Sequence, residues 1–117
     1  MLNFVIQKHT KQGEPTHWDL MLEQDNVLKT YRLNLPPEDI AQNPAAAAAI
    51  NDHQKRFLTY EGPVNKGLGQ VKIADKGTYK SLKQTKDQWD LILHGQILKG
   101  TYQLIQAPNQ TWSFKIL

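Results

Sequence analysis

The stretch His17–Leu33 reads HWDLMLEQDNVLKTYRL. Its two halves, Trp18–Glu23 and Val27–Leu33, have the composition of β-strands, and the polar residues 24–26 between them are typical of a turn. This pattern predicts a β-hairpin. Upstream, Phe4–Lys8 has the same strand-like composition, so the N-terminal third of the chain is predicted to be antiparallel sheet.

Strand-like segments separated by turn residues continue from Phe57 to the C-terminus. The predicted turns are Asp75-Lys76-Gly77, Gly95-Gln96 and Pro108-Asn109-Gln110, and the predicted strands are 57–61, 70–74, 78–82, 90–94, 97–105 and 111–117. Many short strands with regular turns are typical of closed antiparallel sheets. We therefore predict a mainly β fold: a small antiparallel β-barrel with one or two short flanking helices.

The predicted helices lie between these two β regions. Five alanines, Ala45–Ala49, follow Pro44; alanine is the best helix former, and proline is favoured at a first helical position. We predict a helix from Pro44 to about Lys55. The segment Glu38–Ala41 is predicted to form a single helical turn.

The size and composition of the chain narrow the functional classes. Its 117 residues suit one domain, 1–117, with a core that needs no disulfide, and there is no cysteine for thiol chemistry. The net charge of +3 permits binding to nucleic acid without requiring it. No apolar run approaches a membrane span, and no signal peptide is visible, so a cytoplasmic protein with no membrane partner is expected.

Two histidines and an aspartate near the N-terminus are candidate metal ligands. The break Gly13-Glu14-Pro15 allows the chain to reverse, which would bring His9 close to His17 and Asp19. Alternate residues of a strand share a face. Two imidazoles and one carboxylate suit Mn²⁺ or Zn²⁺ and leave coordination positions open for catalysis. The alternative is that the three polar side chains only cap a turn or lie in water.

An ordered set of motifs then resembles a known family, the 3′-phosphoesterase domain of bacterial DNA ligase D. The motifs span nearly the whole chain: Gln7-Lys8-His9, His17–Glu23, Val27–Tyr31, Asp52-His53, Tyr60–Val64, Asp75–Tyr79, Leu93-His94-Gly95, Leu98-Lys99-Gly100 and Trp112–Ile116. The wording of His17–Glu23 is most similar to a compact stand-alone branch of that family.

The resemblance implies a β-barrel phosphoesterase that depends on Mn²⁺, with Zn²⁺ as the other possible ion. It implies removal of 3′-phosphates and 3′-ribonucleotides from DNA ends during end repair, so the expected partners are DNA or RNA 3′ ends and DNA repair proteins. The family's metal ligands correspond to His9, His17 and Asp19. A histidine that contacts the phosphate corresponds to His53, which could also act as acid or base.

Four departures from the family pattern put activity in question, and one of them is a gap between the first two family histidines that is two residues longer than usual. Met21 stands where the family has an arginine, Phe57 where it has a tyrosine, and Leu35 where it often has a lysine. Losing these donors would weaken the grip on a phosphate, and restoring arginine at position 21 is expected to raise activity. The candidates for a substitute cation are Arg32, Lys55 and Arg56. The alternatives are an inactive nucleic-acid-binding module of the same fold, or a phosphoesterase with a non-DNA substrate.

Several other residues have two interpretations. The tryptophans Trp18, Trp89 and Trp112 are expected to fill the core, the alternative being stacking platforms for unpaired bases. Glu61 is either a carboxylate that orients a ligand histidine or an ordinary charge at a strand end. His94 is expected to be structural.

Overall fold

The computed structural model describes residues 1–117, whose nine strands form one antiparallel sheet. The strands are β1 (Leu2–Lys11), β2 (His17–Gln24), β3 (Val27–Leu33), β4 (Ala45–His53), β5 (Gly62–Val64), β6 (Gly69–Gln84), β7 (Gln88–Gly95), β8 (Lys99–Gln106) and β9 (Trp112–Ile116). Their order is β1-β2-β3-β4-β9-β8-β7-β6-β5, and β1 also pairs with β6. That pairing closes eight strands into a barrel, with β5 attached outside it, and confirms the predicted fold class.

The helical content is small. Helix α1 spans Pro37–Ile40, and two 3₁₀ turns span Lys55–Leu58 and Asn65–Gly67. The predicted helical turn at 38–41 is confirmed. No helix is long and apolar enough to cross a membrane.

The predicted helix from Pro44 to Lys55 is wrong, because this segment forms strand β4. Strand β4 lies between β3 and β9 and pairs with both. The advantage of alanine in a helix is only a few tenths of a kcal/mol per residue, and the barrel closes only if a strand occupies this place. The small side chains suit it, since Ala45 is buried and Ala47 packs against the core.

The predicted turn at Asp75-Lys76-Gly77 is also wrong, because β6 runs through it without reversing. The buried carboxylate of Asp75 instead accepts hydrogen bonds from the backbone N–H groups of Gln96, Ile97 and Leu98. Gly77 lies against the backbone of His94 so closely that a Cβ would overlap it. These turn-like residues therefore hold β6 against the β7–β8 connection, where the predicted turn at Gly95-Gln96 is confirmed.

The predicted strand at 57–61 is likewise replaced, because residues 55–58 form the first 3₁₀ turn. This segment lies over the outer face of β1. The amide of Gln7 donates to the carbonyl oxygens of Phe57 and Tyr60, at 2.9 Å in each case. A side chain fifty residues away thus satisfies backbone groups that a sheet partner would otherwise pair.

The two faces of the strands β1, β2 and β3 have different surroundings. The inner face belongs to the main core, a cluster of fifteen buried residues that fills the barrel. The outer face carries a smaller buried cluster of Val5, Met21 and Leu28, with Phe57 and Leu58 packed against it. Beyond this small cluster, towards the His17 end of β2, the side chains on the outer face are polar.

Candidate metal and phosphate site

The first two strands bring the predicted metal ligands together. In the β1–β2 register His9 stands opposite His17, and Gln7 stands opposite Asp19. Directly paired residues share a face of the sheet, as do residues two apart on one strand. All three ligand side chains therefore lie on the outer face.

The ligand atoms are close enough to share one ion. His9 Nδ1 lies 2.8 Å from His17 Nε2, and His17 Nε2 lies 3.5 Å from Asp19 Oδ1. The three ligand atoms all lie within 4.8 Å of one another. Ligands about 2.1 Å from a common ion are separated by roughly 3 to 4 Å, so only small shifts are needed to coordinate one.

The hydrogen bonding of Asp19 also favours a bound cation. Asp19 is 5% exposed, and its Oδ1 is buried without a hydrogen-bond donor. Its nearest positive neighbour is Arg32, whose Nε lies 3.6 Å away. A buried carboxylate oxygen without a donor is costly, and a divalent ion held with His9 and His17 would satisfy it. These three residues form a group that can hold a metal ion.

The electrostatics of the histidines favour metal binding. Burial lowers the pKa of both His9 and His17, against an opposing contribution from the Asp19 carboxylate. The nearby Arg32 guanidinium lowers both values further. Imidazole binds a metal only when it is neutral, so the lowered pKa values keep these ligands available at neutral pH.

His53 faces the same cavity from β4. This cavity has a volume of about 210 Å³, and its lining includes His9, Asp19, Arg32, His53 and Phe57. The remaining lining residues are Gln7, Val64, Asn65 and Val71. Two of the predicted metal ligands, His9 and Asp19, thus line one small cavity with the predicted phosphate-contacting His53, and His17 lies beside His9 at its edge.

Of the three candidate substitute cations, only Arg32 lines this cavity. Lys55 is engaged with the Glu23 carboxylate, with 2.9 Å between Nζ and Oε2. The guanidinium of Arg56 lies over the Phe57 ring, 4.4 Å from its centroid. Lys55 and Arg56 make their contacts within or beside the 3₁₀ turn. Arg32 is the candidate cation whose side chain lines the cavity.

Two of the three residues that depart from the family pattern, Met21 and Phe57, lie side by side, whereas the third, Leu35, packs against the main core. Met21 is 1% exposed in the small cluster with Val5 and Leu28, and Phe57 packs against this cluster. Phe57 also meets the His53 ring edge-on, with 5.5 Å between centroids. An apolar contact therefore occupies the region where the family pattern places an arginine and a tyrosine.

Sequence reasoning missed three residues that shape the site. Gln7 anchors the 3₁₀ turn, Thr30 contacts His53, and Gly69 leaves room for the His9 ring. A polar residue in the apolar run Phe4–Gln7 was a usable signal for Gln7. Nothing local marks the other two, since their partners lie on distant strands.

The remaining candidates lie outside the site. Trp89 is buried, and Trp18 and Trp112 pack against the main core, in agreement with the core interpretation. The Glu61 carboxylate accepts a hydrogen bond from the backbone N–H of Ile73, inside β6, and makes no hydrogen bond to a histidine. It therefore ties the residue before β5 to β6. His94 is exposed on β7.

Comparison with known proteins agrees with this geometry. Residues 7–106 match the model of the DNA ligase D 3′-phosphoesterase domain. The chain belongs to this family. The resemblance stated from the motifs is thereby confirmed.

Full-length relatives of the domain are much larger proteins. The multifunctional non-homologous end joining protein LigD of Mycolicibacterium smegmatis is 34% identical over 93% of this chain, which corresponds to 16% of that protein. The LigD proteins of Mycobacterium tuberculosis H37Rv and Pseudomonas aeruginosa are 32% and 26% identical over 93% and 92% of the chain. The chain thus spans about one sixth of the length of these relatives.

Proposed function

We propose that this domain is a metal-dependent phosphoesterase that removes 3′-phosphates or 3′-ribonucleotides from nucleic-acid ends in DNA end repair. The observation that carries the proposal is a group of three potential ligand atoms, two of which, on His9 and Asp19, line one cavity together with Arg32 and His53. The relatives named as end-joining proteins support DNA or RNA 3′ ends as the substrate and DNA repair proteins as partners. The expected compartment is the cytoplasm.

His9, His17 and Asp19 would hold the ion, with Mn²⁺ preferred and Zn²⁺ the alternative. A divalent ion supplies a Lewis acid for the phosphate and a more acidic bound water. His53 contacts the phosphate and moves a proton at its free ring nitrogen. The 3₁₀ turn, held by Gln7, places Phe57 in the wall of the cavity.

Arg32 takes the place of the missing family arginine. It stands directly opposite Asp19 in the β2–β3 register, and Thr30 stands opposite Met21. Arg32 is therefore on the same face as Met21, and it lies two residues closer along the strands to His17. Its guanidinium is about half exposed, so it can leave Asp19 and grip two phosphate oxygens.

The test is an end-processing assay with Mn²⁺ on primers that carry a 3′-phosphate or a 3′-ribonucleotide. We expect cleavage by the wild type and at least about a hundredfold loss in Arg32→Ala, the cost of one contact to developing charge. Arg56→Ala is the matched control, because this second arginine stacks outside the cavity. Equal losses in both variants would contradict the role of Arg32.

The second candidate is a nucleic-acid-binding module without catalysis. The buried contact of Met21 with the small cluster favours it, because no donor is present there. Tight binding of 3′ ends by wild type with no cleavage under any divalent metal would support this candidate. Neither binding nor cleavage of DNA and RNA ends, with metal bound, would instead indicate a phosphoesterase for a non-DNA substrate.

A further inference from the structure

A short hydrogen-bonded chain connects His53 to the backbone of β3. The Thr30 hydroxyl lies 3.0 Å from the carbonyl oxygen of Leu28 and 2.9 Å from Nδ1 of His53. Thr30 is only 2% exposed, so the hydroxyl has no ready access to water. The other ring nitrogen of His53, Nε2, makes no hydrogen bond within the protein.

The direction of these two hydrogen bonds follows from the number of protons. A hydroxyl has one proton to donate, and a carbonyl oxygen can only accept. When Thr30 donates to Leu28, it can only accept from His53, and Nδ1 must carry a hydrogen. The reverse arrangement would leave the Thr30–Leu28 contact without a proton, and losing a buried hydrogen bond is unfavourable.

A β-bulge places His53 for this contact. Thr30 pairs with Ile50, but Leu28 pairs with His53, so β4 contains one extra residue between the two pairs. Continuing the Thr30–Ile50 register without the bulge would put Asp52 opposite Leu28. The extra residue turns His53 to the outer face, where the metal ligands lie, an effect that bulges commonly have next to active sites.

We propose that Thr30 is a positioning residue that fixes His53 in the Nδ1–H tautomer and leaves Nε2 to face the phosphate. The inference rests on the proposed function for the role of His53, but the tautomer itself does not. With Nδ1–H held by Thr30, every proton that His53 exchanges enters or leaves at Nε2. A protonated His53 can donate from Nε2 to a leaving oxygen and return to the neutral Nδ1–H form.

The direct test is a two-bond ¹H–¹⁵N NMR spectrum of the histidine rings, recorded on the full chain at about pH 8.5, where imidazoles are neutral. Metal-free and Zn²⁺-loaded protein are used, since Mn²⁺ broadens the signals. We expect the Nδ1–H pattern for His53 in wild type and in Thr30→Ser, which keeps the hydroxyl. In Thr30→Val we expect loss of that pattern. Thr78→Val, at a distant position on β6, is the matched control and should leave His53 unchanged.

Activity provides a second readout. In the Mn²⁺ end-processing assay, Thr30→Val should lower kcat by about tenfold or more with little change in KM, and Thr30→Ser should restore most of it. An Nε2–H pattern for His53 in wild type, or an unchanged pattern in folded Thr30→Val, would overturn the proposal. Because the NMR result needs no substrate, a wild type without cleavage would refute the proposed function alone.

Discussion

The inner and outer faces of strands β1 to β3 are made by alternating residues of the same segments, yet one face is apolar and buried in the core and the other carries the candidate site. The inner face, with Phe4 and Leu20, lies in the main core, whereas the outer face carries His9 and Asp19. One step along β2 separates the core residue Leu20 from Asp19, a candidate metal ligand. Stability and chemistry are therefore separable by single substitutions, although a one-residue slip of register would destroy both.

The largest expected effect is the loss of unfolding free energy when a side chain of the inner face is shortened. Leu20→Ala should lower the free energy of unfolding by about 2–5 kcal/mol, because it opens a cavity among fully buried side chains. Urea unfolding followed by tryptophan fluorescence measures this loss. Asp19→Asn, the adjacent residue on the other face, is the control and should cost much less. A larger loss for Asp19→Asn than for Leu20→Ala would break the distinction between the faces.

The second effect concerns metal binding on the outer face. His17→Ala should weaken binding of Mn²⁺ or Zn²⁺ by at least about a hundredfold, since it removes a ligand rather than a supporting residue. The metal-free protein should stay folded, because the core does not depend on the site. Calorimetric titration gives the affinity and a stoichiometry near one. Equal affinity in wild type and His17→Ala would show that the ion binds elsewhere.

The third effect tests the apolar part of the outer face. The sequence favoured Met21→Arg as a gain of activity, but Met21 is buried in the small cluster under the 3₁₀ turn. Overpacking alone should cost about 1–3 kcal/mol, and burial of the charge adds to it. We now expect a less stable protein without higher activity. Increased cleavage at unchanged stability would show that the cluster opens to admit a guanidinium.

Local patterns were sufficient to predict much of this outer face. The hairpin of β2 and β3 and the alternation of His17 with Asp19 depend on neighbouring residues, so the sequence shows them directly. The reversal at Gly13-Glu14-Pro15 then fixed His9 opposite His17. Barrel closure between β1 and β6 was expected only as a fold class, because the pairing joins distant segments.

Elements that depend on distant partners were not predictable in this way. Strand β4 has an alanine sequence that favours a helix in isolation, and only its pairing with β3 and β9 makes it a strand. The bulge that turns His53 outward exists only in the β3–β4 register. Asp75 has the composition of a turn, and three of the four backbone N–H groups that donate to its carboxylate belong to the β7–β8 connection.

The smallest expected effect is a change in metal affinity when a single methyl group is added beside His9 on the outer face. A Cβ on Gly69 would stand 3.0 Å from His9 Nε2 and 3.2 Å from Val64 Cγ2. Gly69→Ala should therefore press on the His9 ring and displace Nδ1 from its place beside His17. Since a well-formed site tolerates little displacement, we expect metal affinity to fall by about tenfold, the lower range for residues that orient a ligand.

Calorimetric titration measures this change, with Gln70→Ala as the control, because the next residue on β6 is exposed and uses only its backbone near the site. The inner face should not respond, so the unfolding free energy should change by less than about 1 kcal/mol. Unchanged metal affinity in Gly69→Ala would mean that the added methyl group displaces Val64 and the β5 segment and leaves His9 in place. A matching loss of stability and affinity would mean that β6 couples the two faces.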